Sequence, residues 1–321
     1  MKMYFIGFVL LALLHVSCSE EKSYNIVLLP DTQTYTSLYP QIFKAQTQWI
    51  ADNADNISFV LHHGDFTDGN NEKQWSNAAE AMSIMDGKVP YSFVIGNHDE
   101  GVNSDTRDTR LFNTYFPYKK YSQAEGFGGA FETGKMDNTW HIFQTGNIKW
   151  LVLSLEFGPR NKVLAWADSI IRQYNTHKVI INTHAYMYSD NTRMGEGDGW
   201  LPQDYGIGKL TGEDTANNGE EMWDKLISQH SNILLVCSGH ILHEGSGRLV
   251  SEGVHGNKVY QMLANYQDGV DNIKGDTGFL RILTITLTKR IDIKTIFYPY
   301  SKELTITIVM SSLLKTLIYN F

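Results

Sequence analysis

Residues 57–99 limit what this chain can fold into more than any other stretch. They read ISFVLHHGDFTDG, then a helical interval, then VPYSFVIGNHD. Each half is an apolar, β-branched run that breaks at a glycine and delivers side chains able to bind metal or move protons. That is the pattern of a buried strand with polar residues at its carboxyl end, where open α/β sheets place their ligands. Other runs repeat it: residues 25–29, 178–182 and 232–236 end at Asp31, at Thr183-His184 and at Ser238-Gly239-His240.

Helical spacing fills the intervals. Residues 41–53 space Ile42, Ala45 and Trp49, with Phe43 and Ile50, along one face, and residues 72–86 do the same with Trp75, Ala78, Ala79, Met82 and Met85 before Gly87. Residues 163–174 and 220–230 also read as helices, and residues 107–116 as a shorter one. Hairpins are expected at 140–155 and 280–297, and one more strand at 259–264. The interval 189–219, rich in Gly, Asp and Asn, reads as a lid or binding loop. With no internal repeat or low-complexity linker, one domain over residues 24–300 is expected, with 301–321 as a C-terminal tail.

At 321 residues and formal net charge -8, the chain can bury a large core and has no Lys/Arg run, so nucleic acid is not the expected partner. The amino end reads as a targeting segment. Lys2 precedes an apolar run over 4–14 that is short for a membrane span, and Val16-Ser17-Cys18 follows. It is similar to a bacterial lipoprotein processing site, with residues 1–18 as signal peptide and Cys18 as lipid carrier; an ordinary cleaved signal is the alternative. Both make the protein an exported one, and the lipoprotein reading places it in the cell envelope, touching membrane only through that anchor. Cys237, the other cysteine, lies in an apolar run and reads as a buried strand residue.

Asp31, Asp65, Asn97, His184 and His240 each terminate a different apolar run. In aligned strands such residues converge, and carboxylates, an amide oxygen and imidazoles form a mixed oxygen and nitrogen set suited to two divalent ions sharing a carboxylate. Gly64, Gly96 and Gly239 let the backbone turn sharply beside them.

Gly64-Asp65-Phe66-Thr67-Asp68, Gly96-Asn97-His98-Asp99, Thr183-His184 and Gly239-His240 resemble the ordered motifs of the calcineurin-like metallophosphoesterase superfamily, over a stretch from Asp31 to His243. The resemblance implies an α/β fold: a four-layer αββα sandwich of two mixed β-sheets flanked by helices, with the metal site at strand carboxyl ends. It implies a dinuclear centre and hydrolysis of phosphate monoesters or diesters by a metal-bridging hydroxide. It makes Asp65 the bridge, assigns Asn97, His184 and His240 to one ion and Asp31 to the other, and makes His98 the group that contacts phosphate or protonates the leaving oxygen. Asp99, with Asp68, orients neighbouring groups.

This chain departs from the pattern twice. Gln33 stands where the family usually has a histidine, and Leu242 stands in the second histidine position of the last motif, with His243 one residue later. The first metal site is then left with Asp31 and Asp65, with Gln33 or His243 as further candidates: either the turn bulges so that His243 reaches the ion, or Leu242 packs beneath it and the ion is held weakly by Asp31, Asp65 and water, the reading expected here. Among Mn, Mg, Fe and Zn, an oxygen-rich site favours Mn or Fe over tightly held Zn.

His62 and His63 point to opposite faces of a strand, so at most one faces the site. Arg160 reads either as a phosphate clamp or as an ion-pair partner of Glu156. Trp200 and Tyr205 read as stacking surfaces for a substrate or as lid packing. The expected substrate is a small-molecule, lipid or sugar phosphate ester. The competing reading is a catalytically impaired binding or structural protein on the same fold.

Overall fold

The computed structural model describes residues 23–242, 245–267, 278–286, 290–296 and 303–309. The strands are β1 (Ser23–Leu29), β2 (Ile57–His62), β3 (Tyr91–Phe93), β4 (Phe127–Ala130), β5 (Thr139–Thr145), β6 (Ile148–Leu155), β7 (Lys178–Thr183), β8 (Ile233–Ser238), β9 (Ser246–Glu252), β10 (Lys258–Ala264), β11 (Leu280–Thr286), β12 (Arg290–Ile296) and β13 (Glu303–Val309). The helices are α1 (Gln33–Leu38), α2 (Pro40–Asp52), α3 (Glu72–Ser83), α4 (Arg110–Tyr115), α5 (Tyr118–Tyr121), α6 (Asn161–Gln173) and α7 (Gly219–Lys225).

Two mixed sheets result, ordered β13-β12-β11-β1-β2-β3 and β4-β5-β6-β7-β8-β10-β9. In the first, β1, β2 and β3 run parallel; in the second, β6, β7, β8 and β10 do. The central strands are apolar at nearly every position because both their faces are covered. Alternation decides which side chain goes where. Ile26, Leu28, Phe59 and Leu61 meet Trp150, Val152, Ile180 and Cys237 between the sheets. On the outer face of the first sheet, Val27, Leu29 and Val60 pack with Phe43 and Ile50 of α2 and Trp75 and Met82 of α3. On the outer face of the second, Leu151, Leu153 and Ile181 pack with Leu164, Ala167 and Ile171 of α6 and Met222 of α7. Helix, sheet, sheet and helix make the four layers anticipated from the motifs.

Several short or edge elements were not anticipated, among them α1, α5, β9 and β4, which forms from a glycine-rich passage that reads as a surface loop. The six-residue α1 has no acidic residue in its first turn and no side-chain cap, so nothing local announces it. Strand β9 alternates half-buried and exposed positions along most of its length at the sheet edge, a weak signal in a stretch rich in glycine and serine. The apolar run before Gly96 forms a strand only over Tyr91–Phe93, and the expected helix at 107–116 begins only at Arg110. Within the stretch set apart as a tail, residues 303–309 pair antiparallel with β12. Residues 1–18, His243 and Glu244 lie outside the described residues. Among the described residues no helix is long and apolar enough to cross a membrane.

Candidate metal centre

The ends of β1, β2 and β3 in one sheet face the ends of β7 and β8 in the other, and the five strand-end residues meet there. His184 Nε2 lies 3.1 Å from Asn97 Oδ1, 3.3 Å from Asp65 Oδ2 and 3.2 Å from His240 Nδ1. Asp65, His184 and His240 offer ligand atoms within 4.8 Å of one another, and all three are buried.

The tautomers are set from behind. His184 Nδ1 donates to the His63 carbonyl at 2.7 Å, and His240 Nε2 donates to the Trp200 carbonyl at 2.9 Å. Each histidine therefore turns its other nitrogen inward, as metal-ligating histidines do. Asn97 is oriented likewise, its Nδ2 donating to Asn103 Oδ1 at 2.9 Å so that its oxygen faces His184. Asp65 and His240 hold left-handed backbone, with φ of 50° and 70°, an arrangement that costs energy and that only its surroundings maintain.

Two glycines are required for contact reasons. A Cβ at Gly96 would collide with Asp65 Oδ1, and one at Gly239 with Asp31 Oδ1.

The electrostatics favour positive charge between these groups. Burial opposes the charged form of His184, yet Asp65 and Asp31 outweigh it and lift the imidazole to about 9. Burial, then the His184 charge, pushes His240 down to about 3. Burial would raise Asp65, but His184 and His98 hold its carboxyl well below the usual range. A cation can take the place of the proton that His184 holds in this setting.

Asp31 sits across from this cluster. Its Oδ2 accepts from the His240 amide at 2.9 Å and from Asn265 Nδ2 at 2.8 Å, while Oδ1 is buried without a hydrogen-bond partner. Burial drives this carboxyl well above its ordinary value. Gln33 Oε1 is also buried and unpartnered. Orphaned oxygens beside an inward-facing carboxylate and imidazole set fit divalent cations in donor chemistry.

A cavity of about 140 Å³ opens onto the cluster, lined by Gln33, Asp65, Asn97, His98, Asn103, Trp200, Tyr205, His240 and Leu242. His98 is half-buried there. Its Nδ1 donates to the Asp68 carbonyl at 2.7 Å, and although burial acts against its charge, Asp65 and that carbonyl raise its pKa. Trp200 and Tyr205 wall the cavity, the former exposed and in left-handed backbone.

Other sequence candidates lie elsewhere. Asp99 is fully buried, and its carboxylate accepts from the amides of Gly96, Phe66 and Thr67; it positions the motif loops and does not line the cavity. His62 accepts from the Gly64 amide, bonds Thr32 Oγ1 at 3.1 Å and stacks on Phe66. His63 donates to Asn182 Oδ1 at 2.7 Å. Arg160 is outside the cavity lining, its guanidinium held by Glu156 through Nε at 2.7 Å and Nη2 at 3.0 Å, so of its two readings the ion pair is the one found.

Asn265 and Asn103 were missed. Asn265 follows the apolar run 259–264 just as Asp31 follows 25–29, a signal that was present. Asn103 lies in a loop with no periodicity to mark it.

A model of the calcineurin-like phosphoesterase family matches residues 24–244. The Uncharacterized protein YvnB of Bacillus subtilis (strain 168) is 27% identical over 290 residues, which is 87% of this chain and 20% of that protein. The chain thus spans about one fifth of the length of this curated relative. Among solved structures, the purple acid phosphatase PPD1 from yellow lupin (Lupinus luteus) seeds superposes with a TM-score of 0.54 at 13% identity, covering 90% of this chain and 54% of the phosphatase. GAP50, the anchor in the inner membrane complex of Plasmodium, does so with a TM-score of 0.49 at 15% identity, covering 89% of each chain. The lupin enzyme shares the fold, the family match spans more than half the sequence, and the chain belongs to the calcineurin-like phosphoesterase family.

Proposed function

We propose that this protein hydrolyses a phosphate ester with two divalent ions. The observation that supports this most is the convergence of Asp65, Asn97, His184 and His240 on one point beside the unpartnered oxygens of Asp31 and Gln33. Asn97, His184 and His240 would hold one ion, Asp31 and Gln33 the other, and Asp65 both. When bound, such ions lower the pKa of water and neutralise charge growing on phosphate oxygens.

The chain's own residues do the rest. His98 keeps its Nδ1 on the Asp68 carbonyl, which leaves Nε2 to deliver a proton to the departing oxygen. Trp200, Tyr205 and Leu242 exclude water and present flat and apolar surfaces to the ester's substituent. Among the described residues no lysine or arginine lines the cavity, so substrate charge falls to the ions and His98. The substrate proposed is a small-molecule, lipid or sugar phosphate ester, mono- or diester, and the ions proposed are Mn or Fe.

The test is hydrolysis of an aryl phosphodiester and an aryl phosphomonoester by chelator-stripped protein, with and without added Mn²⁺. Metal-dependent turnover is expected; a protein that binds the metal and cleaves neither ester is a binding protein on this fold. Export and lipid anchoring at Cys18 are part of the same proposal. Fractionation should recover the protein with membranes, and Cys18→Ala should release it or block its maturation.

A further inference from the structure

We infer that Asn265 is a ligand of the ion held by Asp31 and Gln33, in the place the family's absent second histidine leaves, so that this ion is bound by oxygen alone. The inference rests on the metal-dependent reading above.

Asn265 follows β10, the strand beside β8, whose end carries His240. Its side chain is completely buried. Nδ2 donates to Asp31 Oδ2 at 2.8 Å, and Oδ1, on the same planar amide, is buried without a partner. Asp31 Oδ1 and Gln33 Oε1 are orphaned in the same way. The segments carrying these residues are tied together: Thr34 donates to Gln267 Oε1 at 3.0 Å, and Asn265 donates its amide to the Gly245 carbonyl at 2.9 Å.

A buried acceptor without a partner keeps the full cost of its lost hydration, and native interiors leave few. With Asp31 ionised, all three orphans are acceptors. A single water carries two protons and would leave one oxygen unmet. A cation placed among them would meet all three and would also answer the Asp31 charge. Asn97 already presents an amide oxygen on the other side of Asp65, so an amide ligand at Asn265 repeats chemistry the site uses once. Carboxylate and amide oxygens without imidazole select Mg²⁺ or Mn²⁺ over Zn²⁺.

The experiment is equilibrium titration of the chelator-stripped full chain with Mn²⁺ and with Zn²⁺, following free Mn²⁺ by electron paramagnetic resonance and heat by calorimetry. Metal-free thermal melting checks that each variant is folded. The wild type should take two Mn²⁺, one more weakly, with Zn²⁺ gaining least at the weaker position. Asn265→Ala should weaken only that equivalent, by roughly tenfold or more. Asn265→Asp, which keeps an oxygen and adds charge, should retain or tighten it. Unchanged binding in Asn265→Ala overturns the inference, as does equal loss in Asn265→Asp, which would leave only the amide's hold on Asp31. Loss of the equivalent in His243→Ala with retention in Asn265→Ala would give the position to His243. A wild type that takes up no ion refutes the proposed function as well. Two bound ions and turnover with an indifferent Asn265 refute this inference alone.

Discussion

The carboxylate of Asp99 accepts both the backbone amide of Thr67, at 2.9 Å, and its hydroxyl, at 3.1 Å. Because Asp99 also takes the amides of Phe66 and Gly96, one buried side chain ties the loop carrying Asp65 to the loop carrying Asn97 and His98. Asp99→Ala should leave three buried amides unpaired and lower stability on the order of 3 kcal/mol. Denaturant unfolding of metal-free protein measures this; a shift well under 1 kcal/mol would refute the tie.

Asp65 and His98 should fail differently. Asp65→Ala removes the carboxylate proposed to serve both ions, so bound metal and turnover should fall together. His98→Ala should keep its metal while turnover drops about 10²- to 10⁴-fold, as for loss of a general acid. Metal analysis beside steady-state rates separates the two, and loss of metal from His98→Ala would make His98 a ligand.

Arg160→Ala should act on stability, not on substrate binding. It strips the bidentate partner from Glu156, which is buried, though Arg107 at 3.8 Å and Asn138 at 2.8 Å remain. The cost should be about 3 kcal/mol, the lower end for breaking a buried pair, with KM unchanged because Arg160 does not line the cavity. A raised KM at unchanged stability would return Arg160 to the phosphate.

Glu100 predicts a pH effect. Burial pushes its carboxyl up to about 8, against the pull of Arg107 and with help from Glu156. The folded chain then holds a proton that the unfolded chain has released, so Glu100 lowers stability progressively as pH rises from its ordinary value of 4.5 to about 8. Glu100→Gln should flatten the wild-type slope across that window, read from unfolding midpoints in chelator. Parallel pH profiles for the two chains would contradict it.

The sheet cores and the strand-end site residues were readable because both rest on local pattern: an apolar run that breaks at a polar side chain. Asp31, Asp65, Asn97, His184, His240 and Asn265 all come at the end of such a run, with glycine directly before Asp65, Asn97 and His240. The roles of Asp99 and Arg160 were harder to read, since a carboxylate in a motif and an arginine after a strand look the same whether they face a ligand or backbone amides. What separates them is which face of a turn the side chain takes, and that depends on partners up to 33 residues away for Asp99. The Trp200 carbonyl leaves no trace in side-chain chemistry, because its contribution to His240 comes from the backbone.

The position of β1 bears on how such a chain is made. It lies inside the first sheet, with β2 on one side and β11 on the other, Ser23 opposite Thr286. Asp31 at its end is held by residues 209 and 234 positions later. During synthesis, then, β1 emerges early and waits for β11, and contacts so distant in sequence form slowly. A nascent chain halted at residue 244, where the family match ends, would already contain Asp65, Asn97, His184 and His240. It would lack both Asn265 and the strand that covers β1, and that bare edge would be open to pairing with other chains.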